Sequence, residues 1–344
     1  MQDNARAGQA YQLPTVDAPS LDDLRVEVMA PAPPSADELI ERLHRRLREK
    51  APRREREAGE PIVAGDEVEC DLITLVDGQV VPGGVMGSAR LEVREFLHLP
   101  GLLEELLSMT TFSAKTFELT LPAEYPVPSV AGRTATVFVE ARRVFQVEPV
   151  LLDDLTSLQA AGLGDSLDEA METVAAEIDA EQGEELLVLA TQTVLDALAR
   201  RVDEQVPAAA IDEELRQSWL RGEGAVLSTK SLPPELVRHA EASFIAHPAH
   251  RAEAEQRIKV GLALGALVEK EGLAPSAETM TMLLETAAEQ SQTTVEQAKA
   301  ALKGEPAYAL QAGNTALYLN AVEFVMSRAR VEVRDPPADA EEAP

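Results

Sequence analysis

The chain has 344 residues, enough for about two or three domains, and its 45 % hydrophobic content supports packed cores rather than global disorder. Aromatic residues make up only 3 %, with a single Trp, so a stacking platform for single-stranded nucleic acid is poorly supported. The formal net charge of -29, from 60 acidic and 31 basic residues, disfavours nucleic acid and anionic membrane surfaces and suits basic or apolar polypeptide partners.

The N-terminal segment, residues 1–61, is read as a tail and linker. Its first residues carry no apolar signal core, which predicts a cytoplasmic protein. Residues 24–28 (LRVEV) alternate as a short strand, and the Ala-Pro run at 30–34 breaks it. Ser35 with Glu38 forms a capping-box pattern at the start of a helix whose Leu39, Leu43 and Leu47 make one apolar stripe. The basic cluster Arg42, Arg45, Arg46, Arg48, Arg53, Arg54 and Arg56 is interleaved with Glu41, Glu49, Glu55 and Glu57. Local charges nearly cancel, so a solvated helix face fits better than a nucleic-acid patch.

Residues 62–147 form a β-rich unit. Asp77-Gly78 is a hairpin turn signal, and Gly83-Gly84 reads as a loop. Leu99-Pro100-Gly101 opens a short helix, and strands are expected again at 117–121 and 135–139, separated by Pro122, Pro126 and Pro128. Cys70 is the one cysteine, which excludes an internal disulfide and a four-Cys zinc site. It alternates with Val68 and Leu72 and reads as a small core residue.

From residue 148 to 333 the periodicity is helical. A long helix is expected over 165–202, interrupted at Gly183, followed by helices at about 208–220, 234–245, 249–270, 277–290, 294–302 and 308–330. Residues 334–344 read as an acidic disordered tail. The apolar run at 260–268 falls far short of the ~18–20 residues a membrane span needs. Its Gly261…Gly265 spacing predicts close packing between helices. His247 and His250, with Glu253 after them, fall short of the three or four converging ligands that a metal site needs. Phosphate-binding glycine loops and common hydrolase motifs are not found in the sequence, so no cofactor is expected. The fold class is therefore α+β, a small antiparallel β domain with a larger helical domain.

Six stretches carry a family resemblance. IVAGDEVECDLITLVDGQVVPGG, HLPGLLEELL and LTLPAEYPVPSVAGRTATVFVEARRV resemble, in this order, the FKBP-type prolyl isomerase domain of trigger factor chaperones. EQVPAAAIDEEL and QRIKVGLALGALVEKEGL resemble the arm and central body helices of the same family's C-terminal domain, and YQLPTVDAPSLDDLRVEV its linker. The resemblance spans roughly residues 11–333. It implies an extended helical domain whose arms enclose an open cradle. The basic ribosome-docking loop of the family is not found in this sequence, which leads to an expectation of no stable ribosome association.

In this family, rotation about X-Pro bonds, with a barrier of ~18–20 kcal/mol, is accelerated in a pocket with aromatic walls. By resemblance the wall positions are Leu72, Val81, Leu102 and Val137, all aliphatic, while Pro82 stands where an acidic residue is expected. Leu99 and Tyr125 fit the family pattern. The resemblance thus implies an isomerase scaffold with weak or lost activity, or a reshaped pocket using Phe96, Phe112 or Tyr125. For client binding it points to Leu215, Trp219, Leu220, Leu227, Leu310, Leu317, Tyr318 and Phe324. Three functions stay open: an ATP-independent holdase for unfolded or partly folded polypeptides, a dedicated partner or inhibitor of one client, and an active prolyl isomerase.

Overall fold

In the computed structural model, residues 12–94, 96, 99–229 and 233–336 are described. Much of the expected acidic tail, residues 337–344, lies outside them, as do residues 1–11. In chain order the first elements are β1 (Arg25–Met29), α1 (Ala36–Lys50), β2 (Arg53–Glu55), β3 (Glu67–Val76), β4 (Gln79–Glu92), α2 (Leu102–Leu107), β5 (Ala114–Thr120) and β6 (Thr134–Val147). Helices then follow: α3 (Leu155–Ala160), α4 (Leu167–Ala199), α5 (Ala208–Arg221), α6 (Glu223–Ser228), α7 (Pro234–Ala246) and α8 (Pro248–Glu271). The chain continues through α9 (Ala277–Gln290), α10 (Val295–Gly304), α11 (Pro306–Met326) and β7 (Arg330–Arg334). The architecture is α+β, with a small antiparallel sheet and a larger helical part.

Two compact units form, each discontinuous in sequence. One comprises residues 34–179 and 212–251; the other comprises residues up to 33, 180–211 and those from 252 onward.

The sheet unit is organised by the Asp77-Gly78 turn. Both residues take positive φ, 52° and 74°, as a two-residue hairpin loop between right-twisted strands requires. The sheet runs β2-β6-β3-β4, with β5 also paired to β6, and every pairing is antiparallel. Strand β3 is apolar on both faces. Val68, Cys70 and Leu72 join Val81, Leu102, Leu106, Val137 and Val139 in one cluster. Ile73 and Leu75 face the other way, against Trp219, Leu227 and Ala240. Helices from the 212–251 segment thus cover the face that α2 does not.

Gly83-Gly84 does not form a loop between elements. It lies within β4, where the register jumps from Leu75↔Val80 to Ile73↔Val85, so residues 81–84 bulge out of the ladder. Gly87 and Gly224 mark close approaches to neighbouring side chains. A Cβ on Gly87 would sit 2.8 Å from Val226, and one on Gly224 would sit 2.5 Å from the Trp219 ring.

The basic cluster is not one helix face. Arg53, Arg54 and Glu55 form β2, paired with the end of β6. Arg56 Nε and Nη2 donate to Asp66 at 2.7 and 2.9 Å, both side chains buried, and Asp66 also accepts from the Val63 backbone N–H. Arg46 pairs with Glu177, Arg48 with Glu92, Arg53 with Glu67 and Arg54 with Glu60. At the head of α1, Ser35 and Glu38 form the capping box reciprocally. Leu43 and Leu47 pack with Leu158, Leu163 and Val174.

Helix α4 runs unbroken through Gly183, because an added turn of hydrogen bonds offsets glycine's modest cost. Val194 and Leu198 pack with Val260, Ala263, Leu264, Leu267, Ala321 and Val325. Gly261 and Gly265 lie off this seam, with nothing within 4 Å of an added Cβ, so the close packing predicted from their spacing does not occur. The last expected helix ends earlier, and 330–334 instead pairs as β7 in parallel with β1. Among the described residues no helix is long and apolar enough to cross a membrane.

Candidate functional site

The residues that the family resemblance assigns to a proline pocket do converge. Leu72 on β3, Val81 on β4, Leu102 on α2 and Val137 on β6 are all buried in one cluster, with Leu99, Tyr125 and Phe96 packed against its border. The alternation of β3 and β6 brings this about, since Val137 and Val139 face the same side as Leu72. Pro82 is half-buried on the β4 bulge. Burial pushes the Tyr125 phenol above its ordinary range. Phe112 behaves differently: it is 61 % exposed, at a positive φ of 60°, so its ring contributes no wall. Aliphatic side chains stand at the positions that the resemblance assigns to rings. These groups offer apolar contact but no proton donor or acceptor besides the Tyr125 hydroxyl.

The residues proposed for clients fall in different units. Leu215, Trp219 and Leu227 are buried in the sheet unit, while Leu220 beside them is 57 % exposed. Leu310 and Tyr318 are exposed on α11 in the helical unit. Leu317 and Phe324 are half-buried there, with the Arg328 guanidinium 3.5 Å from the Phe324 ring centre.

A groove not read from the sequence lies among α9, α10 and α11. Helices α9, α10 and α11 pack mutually and leave a space of about 410 Å³ lined by Met280, Leu283, Leu284, Leu302 and Tyr308. Ser276 and Thr294 cap α9 and α10 through their hydroxyls. Helix α10 has no buried residue among those described, and α9 has one, Ala288. Met282, Tyr308 and Leu310 stand 49, 54 and 67 % exposed around this three-helix cluster. The sequence signal was present in the Met and Leu of TMTMLLETAA, but periodicity alone does not tell a half-empty groove from a filled core.

Residues 166–327 match the family described as the bacterial trigger factor protein C-terminus. Curated relatives extend the similarity. The trigger factor of Erythrobacter litoralis is 29 % identical over 281 residues, 81 % of this chain and 51 % of that protein. The trigger factor of Novosphingobium aromaticivorans is 25 % identical over 324 residues, 94 % of this chain and 62 % of that protein. The chain thus spans about half to three fifths of the length of these relatives. A solved structure described for promiscuous substrate recognition in folding and assembly by the trigger factor chaperone covers 92 % of this chain and 72 % of its own. Its 16 % identity and TM-score of 0.34 make the likeness too loose to bear on the arrangement of the parts.

Proposed function

We propose, from its similarity to trigger factors, that this chain is an ATP-independent chaperone that holds unfolded or partly folded polypeptides in the cytoplasm. The observation that carries the reading is the apolar groove of α9–α11 with Met282, Tyr308 and Leu310 exposed at its helices. Exposed apolar surface on a chain of net charge -29 stays soluble and still offers adaptable contacts to varied chains. Among the earlier candidates, Leu220, Leu310 and Tyr318 are the accessible ones.

We assign residues 62–147 as an FKBP-like scaffold with weak or lost isomerase activity and residues 148–333 as the chaperone part. The filled interior around Leu72, Val81, Leu102 and Val137 supports the first assignment. Independence from the ribosome is supported by the net charge and by the pairing of Arg46, Arg48, Arg53, Arg54 and Arg56 with carboxylates.

Affinity capture with the intact chain separates a general chaperone from a dedicated one. Many substoichiometric polypeptides support the general reading. One stoichiometric partner replaces it with the dedicated one.

A further inference from the structure

The sheet unit holds a second cleft, of about 440 Å³, between the β3–β4 hairpin and helices α6 and α7. Its walls are mixed. Val80, Val81, Val130 and Phe244 supply apolar surface. Glu223, His247 and His250 supply polar groups.

The polar groups are under-served. One Glu223 oxygen accepts the Gly83 backbone N–H at 3.2 Å, and no Lys or Arg among the described residues pairs with this carboxylate. Burial pushes the Glu223 carboxyl above the usual range, against the opposing pull of the Gly83 N–H and His250. His247 Nδ1 is buried and has no hydrogen-bond partner. His250 Nδ1 lies 3.1 Å from the Phe244 carbonyl, which only an N–H can satisfy, so its Nε2 is the acceptor in the neutral ring. The two imidazoles lie 4.5 Å apart, and the His250 ring is 4.3 Å from that of Phe244. Arg133, which also lines the cleft, is already engaged by Asp77. Among the described residues, no group of three His, Cys, Asp or Glu side chains is arranged for a metal.

The cleft therefore combines a carboxylate with one oxygen left open, an orphaned ring nitrogen, an aromatic face and apolar walls. We infer that it receives a lysine side chain of a bound polypeptide. The methylenes lie along Val80 and Val130, and the ammonium donates to Glu223 and His247 Nδ1 beside the Phe244 ring. An arginine fork suits a carboxylate with both oxygens open, whereas one oxygen of Glu223 already serves Gly83. A compact ammonium with three rotatable donors fits the remaining acceptors better. The chain's net charge of -29 draws such cationic segments in.

This inference rests on the reading that the chain binds polypeptides, and it is tested apart from it. Trp219, the single tryptophan, has its ring centre 5.5 Å from that of Phe244 and reports on the cleft by fluorescence. The probe is the peptide acetyl-Ala-Leu-Lys-Leu-Ala-amide, titrated into the intact chain beside the same peptide with norleucine for lysine. The lysine peptide is expected to shift Trp219 emission saturably and to bind roughly tenfold to a hundredfold more tightly than the norleucine peptide. Glu223→Gln is expected to remove that difference with circular dichroism unchanged, and His247→Phe to reduce it. Equal affinity for both peptides, or a lysine preference intact in Glu223→Gln, overturns the inference. Aggregation suppression retained alongside such a result leaves the chaperone reading standing.

Discussion

Arg334 on β7 reaches Glu27 on β1, with Nη2 and Oε2 2.6 Å apart. The two strands share the tetrapeptide Arg-Val-Glu-Val and pair in parallel with identical residues opposite, Val26 against Val331 and Val28 against Val333. Like charges also meet, Arg25 opposite Arg330 and Glu27 opposite Glu332, and each is drawn aside by another partner: Arg25 by Asp23, Arg330 by Glu332, Glu27 by Arg334. The ribbon ties an early and a late segment of the chain into one core.

The ribbon should therefore be needed for the stability of the helical unit. Leu24 is 2 % exposed, accepts the Arg330 N–H through its carbonyl at 2.8 Å and packs in the α4–α8–α11 core. Leu24→Ala is expected to cost about 2–5 kcal/mol, read as a lower urea midpoint. An unchanged midpoint would mean that the strand is only laid on the surface.

The Arg56–Asp66 pair is buried and bidentate, unlike the exposed pairs around it. Asp66→Ala strands a buried guanidinium and should cost about 3–5 kcal/mol. Glu60→Gln, which removes the partner of solvent-exposed Arg54, should leave the midpoint nearly unchanged. Equal effects of the two substitutions would contradict the distinction.

Burial pushes the Cys70 thiol up to about 11 from 9.0. The folded state then holds the proton more tightly than the unfolded chain does, so this contribution to stability is present below about pH 9 and is lost as pH rises towards about 11. Cys70→Ala should flatten that part of the stability profile. In the native protein at pH 8.5, thiol labelling should be much slower than after unfolding.

Local chemistry was legible wherever it was short-range. The Asp77-Gly78 hairpin, the Ser35–Glu38 box and the long helices follow from turn, cap and period signals carried by the residues themselves. What stayed hidden depends on partners far along the chain. Ile73 and Leu75 announce a second buried face, but nothing local says that Trp219 and Leu227 cover it. The RVEVR segment alone does not pair, so its strand is visible only beside β1. Gly83-Gly84 reads as a loop because a bulge and a loop ask the same conformational freedom of glycine. The positions that the resemblance assigns to a proline pocket were legible as aliphatic, and their convergence follows from strand alternation. Glu223 and Phe244 gave no signal, because a cleft between a hairpin and two helices has no sequence period.

Isomerase turnover should be low. The four positions that the resemblance assigns to rings are aliphatic and packed into the core, and aromatic contacts contribute about 0.5–1.5 kcal/mol each beyond their area. Losing ~4 kcal/mol of differential binding slows turnover roughly a thousandfold. A proline-peptide assay on the intact chain checks this, and rates near those of aromatic-walled relatives would refute it.

In the proposed function, exposed apolar surface on the α9–α11 cluster holds unfolded polypeptide without nucleotide. Its most direct test is light scattering of a chemically denatured client diluted into the intact chain without ATP. The expected result is slowed aggregation near equimolar chain, with a several-fold loss of protection in Tyr308→Asp/Leu310→Asp at unchanged helicity. Aggregation that proceeds unchecked at several-fold molar excess of the native chain would contradict it.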